Sequence, residues 1–144
     1  MTAKEYLSQA YYIHKMIEAK CEQLELHRHI ATKATSVITA RNMSGTNRAS
    51  KVEVHTERIL MLEAEIKEEL NKLYKVRSEI AKVIESVEDK QQRVVLELYH
   101  LNFKKQSEIA EMMPYSRRQV IRILNKAWNY LDERCHTMSH WKDI

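Results

Sequence analysis

The stretch ILMLEAEIKEELNKLYKVRSEIAKVIESV (residues 59–87) carries a strict seven-residue repeat of apolar side chains, and this repeat indicates the fold class. The repeating positions are Ile59, Ile66, Leu73, Ile80 and Val87. Charged and polar side chains occupy most of the remaining positions, so the pattern predicts a helix with a narrow apolar seam of the coiled-coil kind. Such a helix is marginal alone in water, and its seam therefore needs an apolar partner.

A second repeat, earlier in the chain, offers that partner. From about Ala3 to Ile38 the pattern is helical, and its seven-residue row consists of Ala10, Ile17, Leu24, Ala31 and Ile38. The polar stretch RNMSGTNRAS (residues 41–50) holds the chain's one glycine and predicts a loop between the two helices. We therefore expect an antiparallel helical hairpin. A second copy of the chain is the alternative partner for the seam, so a homodimer stays open.

The composition indicates an all-α chain. One glycine and one proline among 144 residues leave few positions for tight turns and strands. No apolar run is long enough to span a membrane, and the N-terminal residues lack the apolar core of a signal peptide. We therefore expect a cytoplasmic protein without a membrane partner. Because the sequence shows neither a glycine-rich phosphate loop nor a placeable nucleophile–base arrangement, we expect no enzymatic activity and no cofactor.

The stretch EIAEMMPYSRRQV (residues 108–120) predicts a short helix, a turn, and a second helix that Ser116 caps. The buried face of the second helix would consist of Val120, Ile123, Leu124, Ala127 and Leu131. Its opposite face presents Arg118, Arg122 and Asn125. Arginine pairs well with guanine and asparagine with adenine, so we predict that these three residues contact DNA bases. The residues predicted to contact phosphates are Arg117, Gln119, Lys126, Lys104 and Lys105.

The span QQRVVLELYHLNFKKQSEIAEMMPYSRRQVIRILNKAWNYL (residues 91–131) resembles the fourth conserved region of bacterial sigma factors, a helix-turn-helix domain. In that family a Glu-Ile-Ala triplet opens the support helix, and a Ser or Thr caps the recognition helix six residues after the alanine. Glu108, Ile109, Ala110 and Ser116 match this pattern. A long helical N-terminus before such a domain is similar to small phage and prophage proteins of Gram-positive bacteria. The resemblance implies a transcription regulator that binds double-stranded DNA, with RNA polymerase as a further candidate partner.

Pro114 departs from the family pattern, which has a glycine in the turn. That glycine serves a backbone with positive φ, whereas the proline ring restricts φ to about −65°. We therefore predict that the turn is reshaped, or that the first of the two helices ends early at Met112 or Met113. Neither change disturbs the spacing between Ala110 and Ser116.

These patterns divide the chain into three parts. Residues 1–87 are predicted to form the hairpin, as a scaffold or for oligomerisation, residues 88–135 the helix-turn-helix domain, and residues 136–144 a tail. Two alternatives to a DNA-reading regulator stay open. One is a helical protein-interaction module that acts on RNA polymerase or another phage protein, and the other is a small DNA-packaging subunit. The absence of acidic residues from residues 112–131 favours the regulator.

A basic stretch and a Cys–His cluster also stand out in the sequence. Residues 26–50 carry no acidic residue and four basic ones: Arg28, Lys33, Arg41 and Arg48. They indicate a solvated surface, or a second patch that contacts phosphates. Cys135, His136 and His140 lack a second pair of ligands at a suitable spacing, so we predict no metal site. His100 is interpreted as an ordinary helix residue.

Overall fold

The computed structural model describes residues 1–41 and 46–136, and of these the side chains of residues 1–34 and 52–134. The helices in these ranges are α1 (Ala3–Leu7), α2 (Gln9–Arg41), α3 (Thr46–Glu85), α4 (Lys90–Leu96), α5 (Gln106–Met112) and α6 (Arg117–His136). A π-helical turn, Glu97–Leu101, directly follows α4. Every regular element in the described ranges is helical, which confirms the prediction of an all-α fold.

Two details of the long helices differ from the sequence prediction. The first predicted helix is interrupted at Ser8, whose hydroxyl donates to the carbonyl oxygen of Lys4 at 2.7 Å. Such a local bond between side chain and backbone competes with a regular helix. The loop predicted for residues 41–50 is helical at both of its ends, and its centre, residues 42–45, lies outside the described residues.

The chain forms two compact units. The hairpin unit consists of Ile13–Lys72, and the terminal unit combines Met1–Tyr12 with the chain from Leu73 onward. This division differs from the boundary predicted just before α4, because α1 packs against α6. The backbone amide of Ala3 also donates to the carboxylate of Asp132 at 2.7 Å, so the N-terminal segment belongs with the C-terminal helices.

In the hairpin unit, α2 and α3 pair side by side. Among the described residues, three side-chain pairs cross between them: Lys20 with Glu65 at 3.3 Å, Arg28 with Glu63 at 2.8 Å, and His27 with His55 at 2.9 Å. The partner of Lys20 lies later in α3 than the partners of residues 27 and 28, so the helices are antiparallel. The predicted hairpin is therefore confirmed, and Ile17, Leu24 and Leu62 are buried within this unit.

The terminal unit is built around α6, which contacts α1, α4 and α5. The predicted apolar face of α6 is confirmed, since the structure buries Val120, Ile123, Leu124, Ala127 and Leu131. At the start of α4, the Asp89 carboxylate accepts a hydrogen bond from the Gln92 amide at 3.0 Å. This N-cap fixes where the chain turns from α3 into the bundle that holds α6.

One buried polar side chain, His100, joins three parts of the terminal unit. It is 2% exposed, and its Nε2 accepts a hydrogen bond from the indole N–H of Trp128 at 3.0 Å. The neutral ring then carries its proton on Nδ1, and the ring also hydrogen-bonds the backbone of Leu7. Burial lowers the pKa of His100 from 6.5 to about 4, and the charge of Lys4 acts in the same direction. His100 is thus more than an ordinary helix residue, because it ties α1 and α6 to the π-helical turn.

Candidate nucleic-acid interface

A short turn, residues 113–116, joins α5 to α6. α5 ends at Met112, as one of the two sequence alternatives predicted. The Tyr115 amide donates to the carbonyl oxygen of Ala110 at 3.1 Å, which closes the end of α5. The Ser116 hydroxyl oxygen accepts a hydrogen bond from the Gln119 amide at 3.1 Å, so Ser116 caps α6 as the sequence predicts.

Pro114 lies in this turn with a φ of 25°. The expectation that a proline excludes a positive φ is therefore wrong for this turn. The proline ring favours φ near −65° and has no N–H to donate to the helix end, so the turn is strained where a glycine would be relaxed. A hydrogen bond from the side-chain amide of Gln91 to the hydroxyl of Tyr115, at 2.7 Å, links the turn to α4.

The three residues predicted to contact bases share the solvent-exposed face of α6. Arg118, Arg122 and Asn125 are all exposed, and at 100° per residue they lie within about 60° of one another around the helix axis. The buried apolar row of α6 lies on the opposite side. One side of α6 therefore anchors the helix, and the other presents hydrogen-bond donors and positive charge.

The residues predicted to contact phosphates fall into two groups. Gln119 and Lys126 lie beside Arg122 along a cavity of about 230 Å³ that Gln91, near the start of α4, also lines. The second group lines a larger cavity of about 570 Å³ and consists of Lys104, Lys105 and Arg117. By helical geometry, Arg117 lies to one side of the row formed by Arg118, Arg122 and Asn125, and Gln119 and Lys126 lie to the other.

In the described part of the chain, three cationic side chains in the first half of α6 have no carboxylate partner. Arg118, Arg122 and Lys126 form no ion pair in the part of the chain that the structure describes. By contrast, Arg28, from the basic stretch of residues 26–50, is paired with Glu63 at 2.8 Å. Unpaired surface cations produce the positive potential that attracts a polyanion, so α6 is the stronger candidate of the two surfaces.

A family profile matches residues 33–132, which is more than half of the chain. The chain belongs to that family. Its description is "Protein of unknown function (DUF1492)", so membership assigns no activity. No curated protein and no solved structure matches the chain. The matched range includes α3, α4, α5 and most of α6, and therefore all of the predicted DNA-contacting residues.

The remaining sequence predictions concern membrane spans, metal binding and the basic stretch of residues 26–50. No helix in the described ranges is long and apolar enough to cross a membrane. Within the same ranges, His, Cys, Asp and Glu side chains form no group of three that could hold a metal ion. The side chains of Cys135, His136 and His140 lie outside the described residues, as do those of Arg41 and Arg48.

Proposed function

We propose that this protein is a sequence-specific DNA-binding transcription regulator, encoded by a phage or prophage, that reads the major groove with α6. The observation that carries the proposal is the division of α6 into two faces. Its apolar row is buried, while Arg118, Arg122 and Asn125 are exposed. Residues 112–131 contain no acidic residue that would repel phosphates.

In this proposal α6 enters the groove from its Ser116 end. A major groove is wide enough to admit an α-helix, and Arg118 and Arg122 are suited to guanine as Asn125 is to adenine. The phosphate contacts come from both sides of this row and are made by Gln119, Lys126, Arg117, Lys104 and Lys105. Phosphate contacts fix the register of the helix on DNA without reading its sequence.

The likeness of residues 91–131 to the fourth region of sigma factors supports the same function and adds RNA polymerase as a candidate partner. The hairpin unit favours a protein partner independently. Among the described residues of this unit, five large apolar side chains are more than half exposed: Met16, Leu26, Val54, Leu60 and Met61. A second copy of the chain is an alternative partner for this surface, and a dimer would read two half-sites one or more helical turns apart. Light scattering distinguishes a monomer from a dimer.

Selection of bound sequences from random duplex DNA, with the full chain, tests the proposal. We expect enrichment of a short motif, and Arg118→Ala with Arg122→Ala should abolish binding to it. The matched control is Lys67→Ala with Lys82→Ala, which removes the same charge from exposed positions on α3. Circular dichroism checks that each variant remains helical. If no motif is enriched, or if the double arginine variant binds as tightly as the unchanged protein, the proposed function is wrong.

A further inference from the structure

The larger cavity, of about 570 Å³, lies entirely within the terminal unit. Its volume falls within the roughly 300–1,000 Å³ that is usual for small-molecule sites. Four cationic side chains line it: Lys4, Lys104, Lys105 and Arg117. None of the lining side chains in the described structure is acidic. A concave site with charges of one sign concentrates the electrostatic potential, so the cavity favours an anion.

Aromatic side chains form the other part of the lining. They are Tyr11, Tyr12, Tyr99 and Phe103. Tyr11 meets both Tyr12, at 5.8 Å between ring centroids, and Phe103, at 6.0 Å, in edge-to-face contacts. Tyr12 is nevertheless 69% exposed. An exposed ring that is held by a neighbouring ring offers a face on which a flat aromatic ligand can stack.

The protein core holds this lining in place. Phe103 adopts a φ of 56°, and the amide that follows it, on Lys104, donates to the carbonyl oxygen of Leu98 at 3.0 Å. On another wall, the Lys4 ammonium lies 4.9 Å from the ring centroid of Trp128, the residue that hydrogen-bonds His100. A positive φ at a residue other than glycine is costly and persists only where packing enforces it. Packing therefore holds the Phe103 and Lys4 walls of the cavity in these positions.

We propose that this cavity binds a free nucleotide. Its phosphates contact Lys104, Lys105 and Arg117, and its base stacks on Tyr12. The combination of cationic side chains and accessible rings selects a ligand that is both phosphorylated and aromatic, and it disfavours a ligand that has only one of these properties. The assignment does not depend on base reading by α6, because Arg118, Arg122 and Asn125 do not line the cavity. It shares Lys104, Lys105 and Arg117 with the proposed DNA phosphate contacts.

Isothermal titration calorimetry with the full chain, in the absence of DNA, tests the assignment. We expect saturable binding of one adenosine or guanosine triphosphate per chain. Inorganic pyrophosphate and the unphosphorylated nucleoside should each bind at least about tenfold more weakly, because each lacks either the stacking or the charge-assisted contacts. No saturable binding up to about 1 mM nucleotide, or equal binding of pyrophosphate, overturns the proposal.

Two variants locate the ligand. Lys104→Ala with Lys105→Ala, and separately Tyr12→Ala, should each weaken nucleotide binding at least about tenfold. The matched controls are Lys75→Ala with Lys90→Ala, which removes the same charge outside the cavity, and Tyr74→Ala, which removes a ring that is 79% exposed. Controls that weaken binding as much as the cavity variants would place the ligand elsewhere.

A further comparison separates this inference from the proposed function. Arg118→Ala with Arg122→Ala should leave nucleotide affinity unchanged even though it abolishes DNA binding. If this double variant loses nucleotide binding, the ligand binds on α6 and the cavity assignment is wrong. A single-stranded oligonucleotide that binds through Tyr12 while free nucleotides do not would also overturn the proposal, since the cavity would then hold part of a strand.

Discussion

Acidification should destabilise the terminal unit through His100. In the unfolded chain this imidazole accepts a proton below pH 6.5, whereas burial lowers its pKa in the folded protein to about 4. Between these two values the unfolded state binds the extra proton, so the free energy of unfolding falls as the pH falls. The contribution of His100 is unchanged above pH 6.5 and levels off below about pH 4.

The magnitude follows from the same two values. Each pH unit inside the window costs at most about 1.4 kcal/mol for one proton. Over the whole window the loss is therefore about 3 kcal/mol, which is a large part of the roughly 5–15 kcal/mol that stabilises a typical domain. His100 is 2% exposed, so solvent screens this effect little. We expect a clear reduction in stability at about pH 4.5 compared with about pH 7.

Urea unfolding at a series of pH values measures this loss. A Trp141→Phe background leaves Trp128 as the single tryptophan, and its fluorescence reports the unit that contains His100. Carboxylates titrate in the same range, so the informative quantity is the difference from His100→Gln, which retains hydrogen-bonding groups but does not titrate. His29→Gln is the matched control, since His29 is exposed. If His100→Gln has the same pH dependence as the protein with His100, then His100 does not cause the loss of stability at low pH.

Three further predictions concern the turn, the α4 cap and the DNA contacts. Pro114→Gly should raise the free energy of unfolding by about 1 kcal/mol, because relief of about 1–3 kcal/mol of backbone strain exceeds the entropy cost of glycine. A lower free energy of unfolding in urea would show that the turn is not strained. Asp89→Ala should lower the free energy of unfolding by about 1 kcal/mol, whereas Asp89→Asn should lower it much less, because asparagine can also cap a helix. Equal losses in both variants would exclude a capping role. Fluorescence anisotropy at a series of salt concentrations gives the slope of log affinity for the selected DNA against log salt. Lys104→Ala with Lys105→Ala should reduce the magnitude of this slope by about 2. An unchanged slope would show that neither lysine contacts a phosphate.

The features that depend on near neighbours could be read from the sequence. The seven-residue rows predicted helices and the hairpin, because their period reports which side of a helix is apolar. The two faces of α6 followed from the same periodicity, and Ser116 could be placed because its hydroxyl serves an amide only three residues away. The positions of Arg118, Arg122 and Asn125 on one exposed face were therefore predictable.

The turn before α6 was only partly predictable. The early end of α5 at Met112 follows from the presence of a proline nearby. The positive φ of Pro114 does not follow, because local preference opposes it. The packing of α5 and α6 on each other, and the bond between Tyr115 and Gln91, set the path of the chain here.

The helices, their apolar faces and the polar row on α6 follow from the local sequence, since each of these arises from residues within a few turns of one another. What covers those faces depends on tertiary packing. It brought Lys4 and Tyr12 to the same cavity as Lys104 and Arg117, and it enclosed His100 between Trp128 and the backbone of Leu7. A periodic pattern shows that a helix must bury one side, but many distant segments could satisfy that requirement. The choice among them depends on the fit of the whole core.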